Sequence, residues 1–194
     1  MRIIGGSAGG VLLKAPKGFD VRPTPDLVRQ AIFNSLGERV VGARVLELFA
    51  GTGALSLECL SRGALGAVCI EKSSKHADFI RNNMEAAGFA PGVLSIRVHD
   101  AFVAIHQLSA EKRTFDLILA DPPYGEKNVG RRSNSFAQKL LDEPALGGLL
   151  AEGGLFVLGH TKRDTLTIPP NWEERKLLKH GDTIMRFFRR RPES

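Results

Sequence analysis

Residues 118–125 read ILADPPYG. An apolar run ends on the Asp121 carboxylate, two prolines and Tyr124, the single tyrosine of the chain. Pro122 and Pro123 have fixed φ and carry no N–H, so the loop is stiff and presents carbonyls rather than donors. Asp121 and the Pro122 carbonyl are then neighbouring acceptors, suited to the two hydrogens of an exocyclic amine. Tyr124 offers a face on which a nucleobase stacks. The plain alternative, a proline-rich turn with a packed tyrosine, fits less well with a position directly after a buried strand.

Three further stretches carry polar groups at comparable places. Residues 47–54 read ELFAGTGA. Gly51 and Gly53 permit a sharp turn and open backbone N–H groups at a helix start. Ser56 stands where a dinucleotide fingerprint has its third glycine. Glu47, four residues before Gly51, suits a ligand with positive charge better than a phosphate. Glu71, 20 residues beyond Gly51, is placed to accept both hydroxyls of a ribose. Asp100, followed by Ala101 and Phe102, can cap a helix and accept from an adenine amino group, with Phe102 near the ring.

The elements that must position these residues follow a regular alternation. Strand patterns at 45–50, 67–71, 94–98, 115–120 and 154–159 alternate with helical ones. The first helix follows residues 2–4 and 11–13, which flank a glycine-rich tip and read as a short hairpin, flexible at that tip. Thr24 reads as its N-cap and Pro25 as its first residue. Segments 172–179 and 183–190 read as a closing antiparallel pair. Consecutive β-α units predict an α/β fold: an open, doubly wound, mostly parallel sheet with helices on both faces. In such sheets ligands bind at the carboxyl ends of the strands, where the four stretches above lie.

Composition sets the outer limits. A chain of 194 residues, 43% hydrophobic and 25% charged, has the size of one domain with a real core. No apolar run approaches membrane-spanning length, and the first twenty residues lack a signal-peptide core, so a cytoplasmic protein is expected. The five histidines and two cysteines have no ligand spacing, so no metal is expected, and Cys59 and Cys69 read as buried free thiols. A net charge of +6 suits an anionic partner such as nucleic acid.

In this order the motifs resemble the class I S-adenosylmethionine-dependent methyltransferases, and DPPY resembles the signature of those that methylate amino groups of nucleic acid bases. RIIGG at 2–6, RPTPDLVRQAIFN at 22–34, the glycine loop and DPPY together resemble the RsmD family over nearly the whole chain. Its members methylate guanine N2 in small-subunit ribosomal RNA. The resemblance implies a Rossmann-like fold with a seven-stranded sheet whose last strand is antiparallel. It implies an N-terminal hairpin and loop at 1–23, a methyltransferase domain at 24–194, and a monomer that acts on small-subunit RNA or the assembling 30S subunit. It assigns catalysis to Asp121, Pro122 and Tyr124. S-Adenosyl-L-methionine would be held by Glu47, Phe49, Gly51, Thr52 and Gly53, with Thr24, Glu71, Lys72, Asp100 and Ala101. The RNA would meet Arg22, Arg29, Asn34 and Pro123.

The family usually carries basic residues after the hairpin glycines, where this chain has Ser7-Ala8-Gly9-Gly10-Val11. The long loop after Tyr124 offers Lys127, Arg131 and Arg132 as replacements. DPPY alone also permits a DNA enzyme acting on adenine N6 or cytosine N4, although no target-recognition domain is evident. The altered hairpin leaves room for a non-catalytic, cofactor-binding assembly factor.

Overall fold

The computed structural model describes residues 1–16, 24–124 and 131–192. Seven strands form one sheet in the order β3-β2-β1-β4-β5-β7-β6. They are β1 (Arg44–Leu48), β2 (Gly66–Glu71), β3 (Leu94–Val98), β4 (Phe115–Ala120), β5 (Leu150–Thr161), β6 (Trp172–His180) and β7 (Thr183–Arg190). The pairs among β1 to β5 are parallel, and β7 runs antiparallel to both β5 and β6. The order runs outward in opposite directions from the β1–β4 pair. Their carboxyl ends therefore flank the crevice that such a reversal leaves open.

The helices are α1 (Asp26–Leu36), α2 (Ala54–Ser61), α3 (Ser74–Ala86), α4 (Ala101–Ala110), α5 (Phe136–Asp142) and α6 (Pro144–Gly148). Side chains of α1, α2 and α3 share one core with Val45, Leu117, Leu119 and Val157. Side chains of α4, α5 and α6 share the other with Leu46, Leu48, Ile118 and Phe156. Strand alternation thus sends successive residues of β1 and β4 to opposite layers. Burying a side chain such as Ile32 or Phe33 stabilises the fold by about 1.5–3 kcal/mol each.

Every residue of α2 is buried. A helix buried on all sides needs cover on all sides, and the N-terminal segment supplies part of it. Ile3, Ala8 and Leu13 join the α1–α3 core. The buried Glu58 accepts from Ile4 N–H at 2.7 Å and Gly5 N–H at 3.0 Å. Ser61 accepts from Ser7 N–H on its carbonyl and from Ala8 N–H on its hydroxyl, at 2.7 and 2.9 Å. The expected hairpin is one antiparallel bridge long, Arg2 with Leu12. Its glycine-rich tip, read above as flexible, is fastened to the end of α2. The reason is a tertiary one: the tip's backbone satisfies polar groups that α2 would otherwise bury unpaired.

Two boundaries differ from expectation. The strand anticipated at 154–159 extends over Leu150–Thr161, with a register shift opposite Phe115/Leu117. Gly153, at φ 72°, and Gly154 break the alternation that would have shown its first half. Thr24 is not a helix cap: α1 starts after Pro25, with no side-chain capping bond, and the Thr24 hydroxyl is used elsewhere.

Candidate active site

A cavity of about 520 Å³ lies at the carboxyl ends of the strands, lined by the end of β2, by residues that directly follow β1, β2, β3 and β4, by His76 of α3 and by Phe136 of α5. Its β1 wall is the turn that joins β1 to α2. Phe49, Gly51 and Gly53 all have positive φ, at 58°, 55° and 73°. For Phe49 this is a strained conformation, of the kind found where a loop is shaped for a ligand. A Cβ on Gly53 would lie 2.8 Å from the Ile80 side chain, so the loop packs on α3 only because that residue is glycine. Asn83 of α3, buried, donates to Thr52 O at 3.1 Å and to Lys14 O at 3.0 Å, tying the loop to the N-terminal segment.

Glu71 sits between this loop and α3. Its carboxylate accepts from Gly51 N–H and Ser73 N–H, both at 2.8 Å. A carboxylate has about four acceptor positions, so it can hold the loop and still accept from a diol. Asp100 accepts from Phe102 N–H at 3.0 Å and caps α4. Its second oxygen is 3.5 Å from the Lys72 ammonium. Glu71, Lys72, Asp100 and Ala101 all line the cavity. Phe102, expected near an adenine ring, lies behind Phe49 and Phe136, which line the cavity together with Tyr124.

The β4 wall is Asp121 to Tyr124. One oxygen of Asp121, Oδ2, accepts from the Thr24 hydroxyl at 2.6 Å. The other, Oδ1, is buried and has no hydrogen-bond partner among the described residues. Burial pushes the Asp121 carboxyl above its ordinary value, and the Thr24 hydroxyl pulls it partly back. Tyr124 is 40% exposed, and its hydroxyl meets Thr183 Oγ1 at 2.8 Å. That bond fixes the phenol end while the ring lines the cavity. Pro122 is buried and Pro123 exposed at the rim.

Several expected residues stand apart from the cavity. Glu47 is 3% exposed and shares the α1–α3 layer with Val45, because Leu46 and Leu48 face the other way. Its carboxylate accepts from Ser56 N–H at 2.9 Å, so it caps α2 from the strand beneath. Burial pushes it up to about 7. The buried thiol of Cys69 lies 3.1 Å from Ser56 Oγ and 3.6 Å from Glu47, and both cysteines are free. The Thr24 hydroxyl serves Asp121. Arg29 is fully buried on α1 and donates to Arg2 O and to Asp26 Oδ1, so it braces the N-terminal segment. Asn34 is on the exposed side of α1. Arg132 is exposed and pairs with Asp142 at 2.6 Å. Arg131 is exposed as well. Arg22 and Lys127 lie outside the described residues.

Phe136, His76, His99 and Gly159 were not anticipated. The first three line the cavity. Gly159 of β5 lies against Asp121: a Cβ there would be 2.3 Å from Oδ1. A glycine inside a strand is a legible sign of close approach. Among the described residues no group of three or more potential ligands could hold a metal ion, and no helix is long and apolar enough to cross a membrane.

The family model described as "Conserved hypothetical protein 95" matches residues 1–189. Ribosomal RNA small subunit methyltransferase D of Escherichia coli is 32% identical over 192 residues, 98% of this chain and 90% of that one. The chain belongs to this family. A candidate rRNA methyltransferase of Bacillus subtilis, YlbH, is 34% identical over 84% of this chain and 83% of its own. The solved structure of the candidate methyltransferase yhhF from Escherichia coli superposes with a TM-score of 0.80 at 27% identity, covering 100% of this chain and 99% of that one. Membership in the methyltransferase D family makes this chain a methyltransferase with the Rossmann-like fold described above.

Proposed function

We propose that this protein transfers a methyl group from S-adenosylmethionine to the exocyclic N2 amine of a guanine in small-subunit ribosomal RNA, free or in an assembling 30S subunit. The observation that carries the reading is the Asp121 carboxylate: half-buried, at the switch point of the sheet, with a buried Oδ1 that has no partner among the described residues. A buried carboxylate oxygen without a partner is unfavourable unless a donor reaches it. An amino N–H is such a donor.

The residues on the β1–β3 side fit the methyl donor. Glu71 can accept from its ribose and Asp100 from its adenine amino group, while the turn at Gly51 keeps side chains out of the way and Phe49 and Phe136 give apolar cover. Lys72 and Ala101 complete that wall. The donor supplies an activated methyl group on a positively charged sulfur, so the protein mainly supplies alignment. The chain's task is the nucleophile, since a guanine amino nitrogen shares its lone pair with the ring. Asp121 and the Pro122 carbonyl accept its two N–H groups, favour a pyramidal nitrogen and stabilise the positive charge that develops there. Tyr124 stacks on the base, which must first leave its neighbours. Pro123 stiffens the rim. Arg131 and Arg132 lie beyond it, and an exposed pair such as Arg132–Asp142 is weak enough to be exchanged for a phosphate. An RNA substrate of this kind makes the enzyme cytoplasmic.

The test is methyl transfer from radiolabelled S-adenosylmethionine to naked small-subunit RNA, undermethylated small subunits and duplex DNA. Label confined to RNA or subunits supports the reading, and label in DNA replaces it with a DNA amino-methyltransferase. Cofactor binding with no label in any of the three contradicts it.

A further inference from the structure

Thr24 and Asp121 are 97 residues apart in sequence, yet the hydroxyl of one donates to the carboxylate of the other at 2.6 Å. Thr24 itself is buried, and it stands two residues before α1, whose buried face packs into the core. Opposite, Gly159 leaves Oδ1 room that any side chain would take: a Cβ at that position would lie 2.3 Å from Oδ1 and 3.0 Å from Cγ. The carboxylate is thus held at one oxygen and given space at the other by two residues from different parts of the fold. Thr24 does not line the cavity, whereas Asp121 does.

We infer that Thr24 is a positioning residue for Asp121, and that Gly159 is the clearance that lets the carboxylate adopt the position Thr24 selects. The inference rests on the proposal that Asp121 receives the target amine. A carboxylate has free rotation about its last torsion, and each wrong orientation points an acceptor away from the substrate. One donor on Oδ2 removes that freedom and leaves Oδ1 as the oxygen with no partner among the described residues. The same bond favours the ionised form, in which Oδ1 carries no proton and can only accept. Among the described residues, burial raises the Asp121 carboxyl and the Thr24 hydroxyl lowers it, with Gly159 of β5 against Oδ1.

The test uses the full-length chain with Thr24→Val, Thr24→Ser and Gly159→Ala. In single-turnover methyl transfer to small-subunit RNA, Thr24→Val should slow the step about ten- to hundred-fold, the range for a hydrogen bond to a charged acceptor. Its affinity for S-adenosylmethionine should stay within about twofold, and Thr24→Ser should recover most of the rate. Gly159→Ala should lower the rate at least as much, again with cofactor affinity kept. A second readout needs no substrate: the carboxyl of Asp121, followed by carbon NMR, should titrate at higher pH in Thr24→Val than in wild type, and at its wild-type pH in Thr24→Ser. If wild type methylates no RNA but this titration shift is present, the positioning role stands and the substrate assignment fails. An unshifted titration with an unchanged rate overturns the positioning role. Parallel loss of cofactor binding and transfer in Thr24→Val also overturns it and returns Thr24 to the cofactor.

Discussion

On the β1–β3 side of the crevice, the residues that face the cavity are fixed by backbone groups close to them. Glu71 is held by Ser73 N–H, two residues on, and by the glycine turn, and Asp100 by Phe102 N–H, two residues on. On the β4–β5 side they are fixed by side chains from remote parts of the chain: Thr24 for Asp121 and, 59 residues away, Thr183 for Tyr124. The first wall is a property of strand-to-helix turns and is available to any ligand with hydroxyl and amino groups. The second depends on the whole fold being closed, including α1 and the last strand. A wall of this kind suits the reacting group, which needs one orientation. The local kind suits a cofactor, which needs several modest contacts.

The sharpest way to break this division is Asp121→Asn. It should lower methyl transfer by about a thousandfold, the loss expected when an electrostatic partner of the reacting centre is removed. Binding of S-adenosylmethionine, measured by calorimetry, should stay near wild type. Glu71→Ala should do the reverse. Cofactor affinity should fall about ten- to hundred-fold, through loss of a charged acceptor and of the bond that shapes the glycine turn. The transfer rate at saturating cofactor should fall much less.

Tyr124 separates stacking from anchoring on the β4 wall. Tyr124→Ala should reduce kcat/KM on RNA about tenfold or more, as expected for loss of a base-stacking face. Tyr124→Phe keeps the ring and loses the hydroxyl that meets Thr183, and should cost about threefold. Equal losses in the two variants would mean that the hydroxyl, rather than the ring, matters.

Glu47 offers a test of the opposite wall that involves no ligand. Its carboxyl is neutralised near pH 7 in the fold instead of near its ordinary 4.5. Between those values the folded state binds more protons than the unfolded one, so stability falls as pH rises from about 4.5 through 7. Above that window the penalty is of the order of 3 kcal/mol. Glu47→Gln should flatten this part of the pH–Tm profile, gaining Tm relative to wild type at pH 8.5 but not at pH 4.5. A parallel profile would show that Glu47 titrates normally. The smallest effect is expected from replacing Arg131 and Arg132 together with alanine. RNA binding should weaken a few-fold, and the slope of log affinity against log salt should become shallower by about one to two.

How much of this was legible in the sequence follows the same division. The parallel sheet, its antiparallel closing strand and the placement of functional groups after Gly51, Glu71, Asp100 and Asp121 could be read from periodicity and strand ends, because each depends on residues a few positions apart. Glu47 was misplaced because residues 45–48 are buried on both faces, and nothing in an uninterrupted buried strand tells which layer a given residue enters. Thr24 was read as a helix cap because Thr-Pro-Asp is a sound local signal, and a donor bond to a carboxylate 97 residues away leaves no local trace. Arg29 was given to the RNA by the family resemblance, and only the packing of the N-terminal segment shows it to be buried. Gly159 could have been flagged, since a glycine inside an apolar strand asks what comes close to it, but its neighbour on β4 is known only from the register.

In the proposed reaction Asp121 presents the exocyclic amine of a guanine for methylation. The most direct measurement is mass spectrometry of nucleosides from small-subunit RNA methylated by wild type and by Asp121→Asn. N2-methylguanosine formed by wild type and lost in the variant, with cofactor binding intact in both, is the result expected. A methyl group on ribose or on a ring carbon, or an equal yield of N2-methylguanosine from the variant, would contradict the account.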